Sequence, residues 1–189
     1  MKFALLVFLF SFSALGSFAE ISKIHGKVIV NIKTMGSKGM SLKENDIVEA
    51  VGKSSYVEIS FSSGHKVRVR NGKTVLRKIT NNEVNLKLIK GKIFSYVNKL
   101  KPNHKFQVTT KHTSMGVRGT MFMVGADEKE TYLCVCEGSV VSKRDGKQYT
   151  VNKGFDQTFK ENSLTDPLKA NDQMMNMATS VFLDMGYDL

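Results

Sequence analysis

Along most of the chain apolar and polar residues alternate in short runs. Val28, Val30 and Ile32 share one face, Val57, Ile59 and Phe61 another, and Lys66 to Arg70 reads charge, Val, charge, Val, charge. A period of two is that of a half-buried β-strand. Further runs lie at Ile47 to Val51, Thr74 to Ile79, Val84 to Ile89, Lys92 to Val97, Phe106 to Thr110, Thr120 to Val124, Thr131 to Cys136, Val140 to Ser142 and Tyr149 to Val151. Between runs stand Ser63-Gly64, Asn71-Gly72, Asn81-Asn82 and Asp145-Gly146. Gly and Asn accept the positive φ of tight reversals, so these dipeptides are predicted hairpin turns. Short strands at near-regular spacing, with no helical period between them, predict an all-β, antiparallel sandwich or jelly roll and exclude a parallel α/β enzyme fold.

The pattern changes at both ends. After Asp166-Pro167, Leu168, Met174, Met175, Met177, Ala178, Val181, Phe182 and Met185 recur at three- and four-residue spacing, with Gly186 following. This predicts one C-terminal amphipathic helix with Asp166 as N-cap, Pro167 at the first helical position and Gly186 at the end. Such a stripe is expected to pack on its own domain. At the start, Lys2, an apolar run from Phe3 to Phe12 broken only by Ser11, and the small Ser17 and Ala19 around Phe18 form a signal-peptide pattern. The run is shorter than the roughly 20 residues of a bilayer span, so the expectation is cleavage after Ala19 and a mature chain without a transmembrane segment, in the periplasm or secreted. The organisation is thus residues 1–19 signal peptide, 20–160 β domain and 161–189 helical extension.

Charge adds a polarity. The chain carries a formal net charge of +11, and from Ser60 to Ala126 the sole acid is Glu83, against basic residues that include Lys66, Arg68, Arg70, Lys87, Lys92 and Arg118. Alternation turns Val67 and Val69 to the core and sends Lys66, Arg68 and Arg70 outward together, a candidate basic face for an acidic partner. Cys134 and Cys136 form a C-x-C in a strand, spaced too widely for easy bridging and with no further Cys or adjacent His. They read as buried small hydrophobes, with no metal or cofactor site. Gly52-Lys53-Ser54 and Gly72-Lys73-Thr74 are not phosphate loops, since Ile47 and Val67 stand where the first Gly of that loop belongs. His25, His65, His104 and His112 lack metal spacing, and neither a nucleophile elbow nor a carboxylate pair is present, so no catalytic residue is assigned.

One ordered set of fragments is more specific. Phe106-Gln107-Val108-Thr109-Thr110 precedes Gly116-Val117-Arg118-Gly119-Thr120-Met121-Phe122-Met123-Val124, and a strand ending in Glu137-Gly138-Ser139-Val140 follows. Upstream stand Gly26-Lys27-Val28, Ser55 to Phe61 and Ser63-Gly64-His65-Lys66-Val67-Arg68-Val69. From about Lys23 to Phe159 this resembles the FecR family. The resemblance implies a jelly-roll-like or double-stranded β-helix domain on the periplasmic side of the envelope. In the family's name-giving signalling proteins that domain follows a cytoplasmic anti-sigma region and a membrane helix, whereas this chain is expected to start with a cleavable leader. What carries over is partner binding. Gly116 and Gly119 suit a tight turn before a buried strand. An Arg118 buried between them would need a counter-charge, for which Glu137 is the candidate by pattern, making Gly116, Val117, Arg118, Gly119, Thr120, Phe122, Glu137 and Gly138 a structural motif.

The favoured function is therefore a non-enzymatic envelope module that binds a partner protein, outer-membrane proteins included, in signalling or envelope assembly. The alternatives are a binder of anionic glycan or cell-envelope polymer through the basic face, and a jelly-roll enzyme whose site shows no signature. Nucleic acid is excluded as a partner by the export signal and by the lack of aromatics interleaved with the basic residues.

Overall fold

The computed structural model describes residues 17–188, so the expected leader, apart from Ser17 to Ala19, lies outside the described residues. The chain forms β1 (Ala19–Val30), β2 (Thr34–Met35), β3 (Ser41–Leu42), β4 (Ile47–Phe61), β5 (Lys66–Ile79), β6 (Glu83–Val97), β7 (Lys105–Thr109), β8 (Ser114–Val117) and β9 (Thr120–Ala126). There follow β10 (Glu130–Glu137), β11 (Ser139–Arg144), β12 (Lys147–Asn152), β13 (Phe155–Lys160), β14 (Ser163–Leu164), β15 (Leu168–Lys169) and one helix, α1 (Asp172–Asp184). The strands run in the order β12-β11-β8-β7-β6-β5-β4-β1-β2, with β9, β10 and β13 branching from β6. Pairing is antiparallel except between β6 and β7, which run parallel.

The branch explains the sandwich. The first part of β6, Glu83 to Lys87, pairs with β7, and its last part, Gly91 to Val97, pairs with β9. The strands β1, β4, β5 and β6 lose register where they bend, at His25/Lys27, Ala50/Tyr56 and Arg70/Lys73. Gly91 sits at this corner with φ +91°, and a Cβ there would stand 2.2 Å from the Asn71 carbonyl oxygen. Opposite it, a Cβ on Gly72 would meet the Lys90 carbonyl at 2.5 Å. Two backbones thus pass closer than any side chain allows, and the sheet folds over there. Ile59, Val67, Ile93, Phe122 and Leu133 from one half then share one core with Val48, Leu76, Leu86, Val108 and Val140 from the other.

Three expectations need correction. Asn71-Gly72 is not a hairpin turn: Asn71 has φ 42° inside the single strand β5, because the positive φ that suits a reversal suits a bulge equally. For the same reason the runs 47–51 and 57–61 are one strand, β4, and 84–89 and 92–97 are another, β6. Nor does α1 begin at Asp166-Pro167, since Leu168-Lys169 first pairs with β13. Asn171 is the N-cap, its side-chain oxygen accepting from the Gln173 N–H at 2.8 Å. At the far end the expected Gly186 stop holds. Gly186 has φ +89°, its N–H donates to Leu183 O and that of Tyr187 donates to Phe182 O, a Schellman closure. Among the described residues no helix is long and apolar enough to cross a membrane.

Candidate functional site

The site is built on the outer face of β4, β5, β6, β9, β10 and β13. Strand register lays side chains across that face in rows. Glu58, Arg68, Phe94, Met123, Cys134 and Asp156 form one row of successive partners. Tyr56, Arg70, Lys92, Gly125, Tyr132 and Thr158 form the next. Helix α1 covers the first row. Ala178, Val181, Phe182 and Met185 bury against Phe94, Met123, Cys134 and Cys136, and the Phe182 ring meets Phe94 edge-on at 6.1 Å. The helix thus packs on its own domain, as its apolar stripe required.

This roof changes the basic face. Lys66, Arg68 and Arg70 do project opposite Val67 and Val69, but Arg68 is only 3% exposed. Its Nε donates to Glu58 Oε1 at 3.0 Å, its terminal nitrogen donates to the same oxygen, and Asp184 at the end of α1 lies 2.6 Å away. The Tyr56 ring stacks at 4.3 Å from the guanidinium carbon. Arg68 beside it holds the Asp184 carboxyl below the usual carboxylate range. Lys66 lies 5.5 Å from the centroid of Tyr187, which itself stacks on Tyr96 at 3.6 Å. The expected row of three free cations is therefore a correction. The acids that neutralise Arg68, Glu58 and Asp184, lie outside the acid-poor segment from Ser60 to Ala126.

Arg70 is the exception. It stands directly opposite Lys92, and neither has an acidic side chain within ion-pair distance among the described residues. Both line a cleft of about 1030 Å³ between the sheet corner and the first turns of α1, with Lys53, Tyr132, Met174 and Met177 among the walls. The acids on that cleft are occupied. Glu49 is held by Lys73 at 3.3 Å and Lys90 at 3.0 Å, Glu130 by Lys160 at 3.6 Å, and Asp127 accepts from the backbone of Lys129 and Glu130.

Of the Gly116–Val124 motif only Met123 lines the cleft, and its turn, Arg118-Gly119, does not. Arg118 is exposed, and Glu137 binds Lys153, so the expected Arg118–Glu137 clamp is not formed. The motif's contact is between two turns instead. Gly138 approaches Gly119 so closely that a Cβ would sit 2.5 Å from the Gly119 carbonyl oxygen, and Thr120 Oγ1 donates to Ser139 O at 3.0 Å. Gly116 and Val117 end β8, and Phe122 is fully buried, edge-on to Phe106 at 6.4 Å.

Cys134 and Cys136 are free and buried. Cys134 Sγ lies 3.3 Å from Met175 Sδ of α1, and a hydrogen bond from Cys136 holds the Cys134 thiol below its ordinary pKa. That bond and burial push Cys136 up. Asp156 accepts from Tyr132 Oη at 2.7 Å beside them. In the sequence Met175 stands only as part of the apolar stripe and Asp184 carries no signal, because no local pattern says which strands a distant helix will cover.

The profile of the family described as FecR protein matches residues 47–141, half of the chain, and the chain belongs to the FecR family. Two crystal structures from Parabacteroides distasonis, each of a protein assigned as an anti-sigma factor, share the fold. One is 16% identical with a TM-score of 0.57, over 67% of this chain and 61% of that one. The other is 18% identical with a TM-score of 0.58, over 71% and 64%. The chain spans less than two thirds of the length of either. No curated protein matches it.

Proposed function

We propose that this chain is an exported, non-enzymatic FecR-family module that binds a partner protein in signalling or envelope assembly, and that the partner inserts an acidic segment into the cleft beside α1. The observation that carries this reading is the Arg70–Lys92 pair. Like charges directly opposite across two strands destabilise a sheet unless an anion offsets them, and here the anion has to come from outside. The thioethers of Met174 and Met177 and the ring of Tyr132 offer adaptable apolar contact next to those cations. Membership of the FecR family and the fold shared with proteins assigned as anti-sigma factors support a regulatory role over a catalytic one.

The test uses the chain from Glu20 onward as bait in envelope extracts. The captured protein is then purified and its affinity measured across salt. Arg70→Glu with Lys92→Glu should weaken binding by at least about tenfold, and wild-type affinity should fall as salt rises. Retention by protease-treated envelope would assign the cleft to an anionic polymer instead. Export is checked separately. N-terminal sequencing of the protein recovered from the periplasm or medium should begin at Glu20, and an intact Met1 in a membrane fraction would refute it.

A further inference from the structure

Beneath α1 the sulfur atoms of two elements meet. Cys134 and Cys136 lie on β10, which gains one residue relative to β9 between Val135 and Glu137. Cys134 and Cys136 both face the buried cluster beneath α1. Met175 reaches down from α1 to 3.3 Å from Cys134 Sγ. Met123, the register partner of Cys134, is fully buried beside it. Met123 also lines the 1030 Å³ cleft, together with Met174 and Met177. Among the described residues no three His, Cys, Asp or Glu side chains converge, and the third donor here is a thioether.

We propose that this cluster binds one soft monovalent metal ion, Cu(I), through the sulfurs of Cys134, Cys136 and Met175, with Met123 beside the site. Thiolate and thioether donors select Cu(I), while structural Zn(II) sites take four nitrogen, oxygen or thiolate ligands and have no place for a thioether. On binding, copper–sulfur bonds form, the thiol protons leave to solvent and no electron is transferred. The ion ties β10 to α1, so it fastens the helix to the sheet. This inference is independent of the partner assigned to the cleft.

The full chain, with its cysteines reduced, is titrated anaerobically with Cu(I) against a chromophoric Cu(I) chelator. The wild-type chain should withdraw one ion per molecule, show a sulfur-only shell by X-ray absorption and melt at a higher temperature with the ion than without. Cys134→Ser with Cys136→Ser should abolish withdrawal, and Met175→Leu should weaken it by about tenfold or more. Met175→Leu preserves side-chain volume, and together with the X-ray absorption measurement it decides the matter if the double serine variant does not fold. Failure of the wild type to compete with the chelator, equal affinity in Met175→Leu, or displacement of Cu(I) by equimolar Zn(II) would each overturn the site.

Discussion

Arg68 and Arg118 show what decides the worth of a charge. Arg68 stands in β5 and Arg118 in the turn between β8 and β9, and Arg68 is sealed between Glu58, Asp184 and Tyr56, whereas Arg118 is exposed. Removing one partner of a buried pair strands the other, which typically costs about 3 to 5 kcal/mol, and an exposed charge costs within about 0.5 kcal/mol. Urea denaturation should therefore find Arg68→Ala strongly destabilised and Arg118→Ala near the wild type. A destabilised Arg118→Ala would contradict the turn-to-turn account of the motif. His65 supplies a pH test at the same scale. Burial lowers its pKa from 6.5 to about 4, and its Nδ1 accepts from the Asn98 N–H at 3.2 Å. Between those two values the unfolded chain holds a proton that the folded chain refuses. The stabilisation is complete above pH 6.5 and is lost as pH falls towards 4. His65→Gln should flatten the dependence of melting temperature on pH across that window. The outward projection of Arg68 was legible from alternation alone, but its burial was not, because Asp184 comes from a helix more than a hundred residues away.

Among the elements, the strands were legible where alternation is uninterrupted and misread where it shifts phase. Residues 66–70 and 74–76 keep a period of two on either side of Asn71-Gly72, and a positive-φ dipeptide between two such runs fits a bulge as well as a turn. Only the partner strand distinguishes them, since Gly91 of β6 crosses at that place. Gly91→Ala forces its Cβ against the Asn71 carbonyl and should cost several kcal/mol, on the order of the 1–3 kcal/mol of a strained backbone position plus the displaced contact. Gly154→Ala also has positive φ but open space around it, so the difference between the two variants in thermal unfolding isolates the close approach. The helix start was misplaced for a related reason. Asp166-Pro167 has the composition of a cap, but the chain there still pairs with β13. Asn171→Ala should lower stability by about 1 kcal/mol, and Asp166→Ala should leave it unchanged.

For the molecule as a whole, the sequence disclosed a sandwich with a separate helix, and the structure adds that the two are held by different cores. The inner cluster around Ile59, Ile93 and Phe122 contains no residue of α1, and the outer cluster joins α1 to Phe94, Met123, Cys134 and Cys136. The sandwich can therefore persist without the helix, while the outer face cannot stay dry without it. A chain ending at Lys169 should keep its far-UV strand signal, since its β-strands and inner core are intact. It should also bind a hydrophobic dye, because an apolar row of the sheet is uncovered. The thiols give the sharpest readout. In the full chain Cys134 and Cys136 are buried, so their reaction with a thiol reagent waits on local opening of α1. In the shortened chain both should react at rates close to those of exposed cysteines. Equal protection in the two chains would mean that β10 is covered by something other than α1. Loss of the strand signal would mean that the outer core, and not the inner one alone, holds the sandwich together.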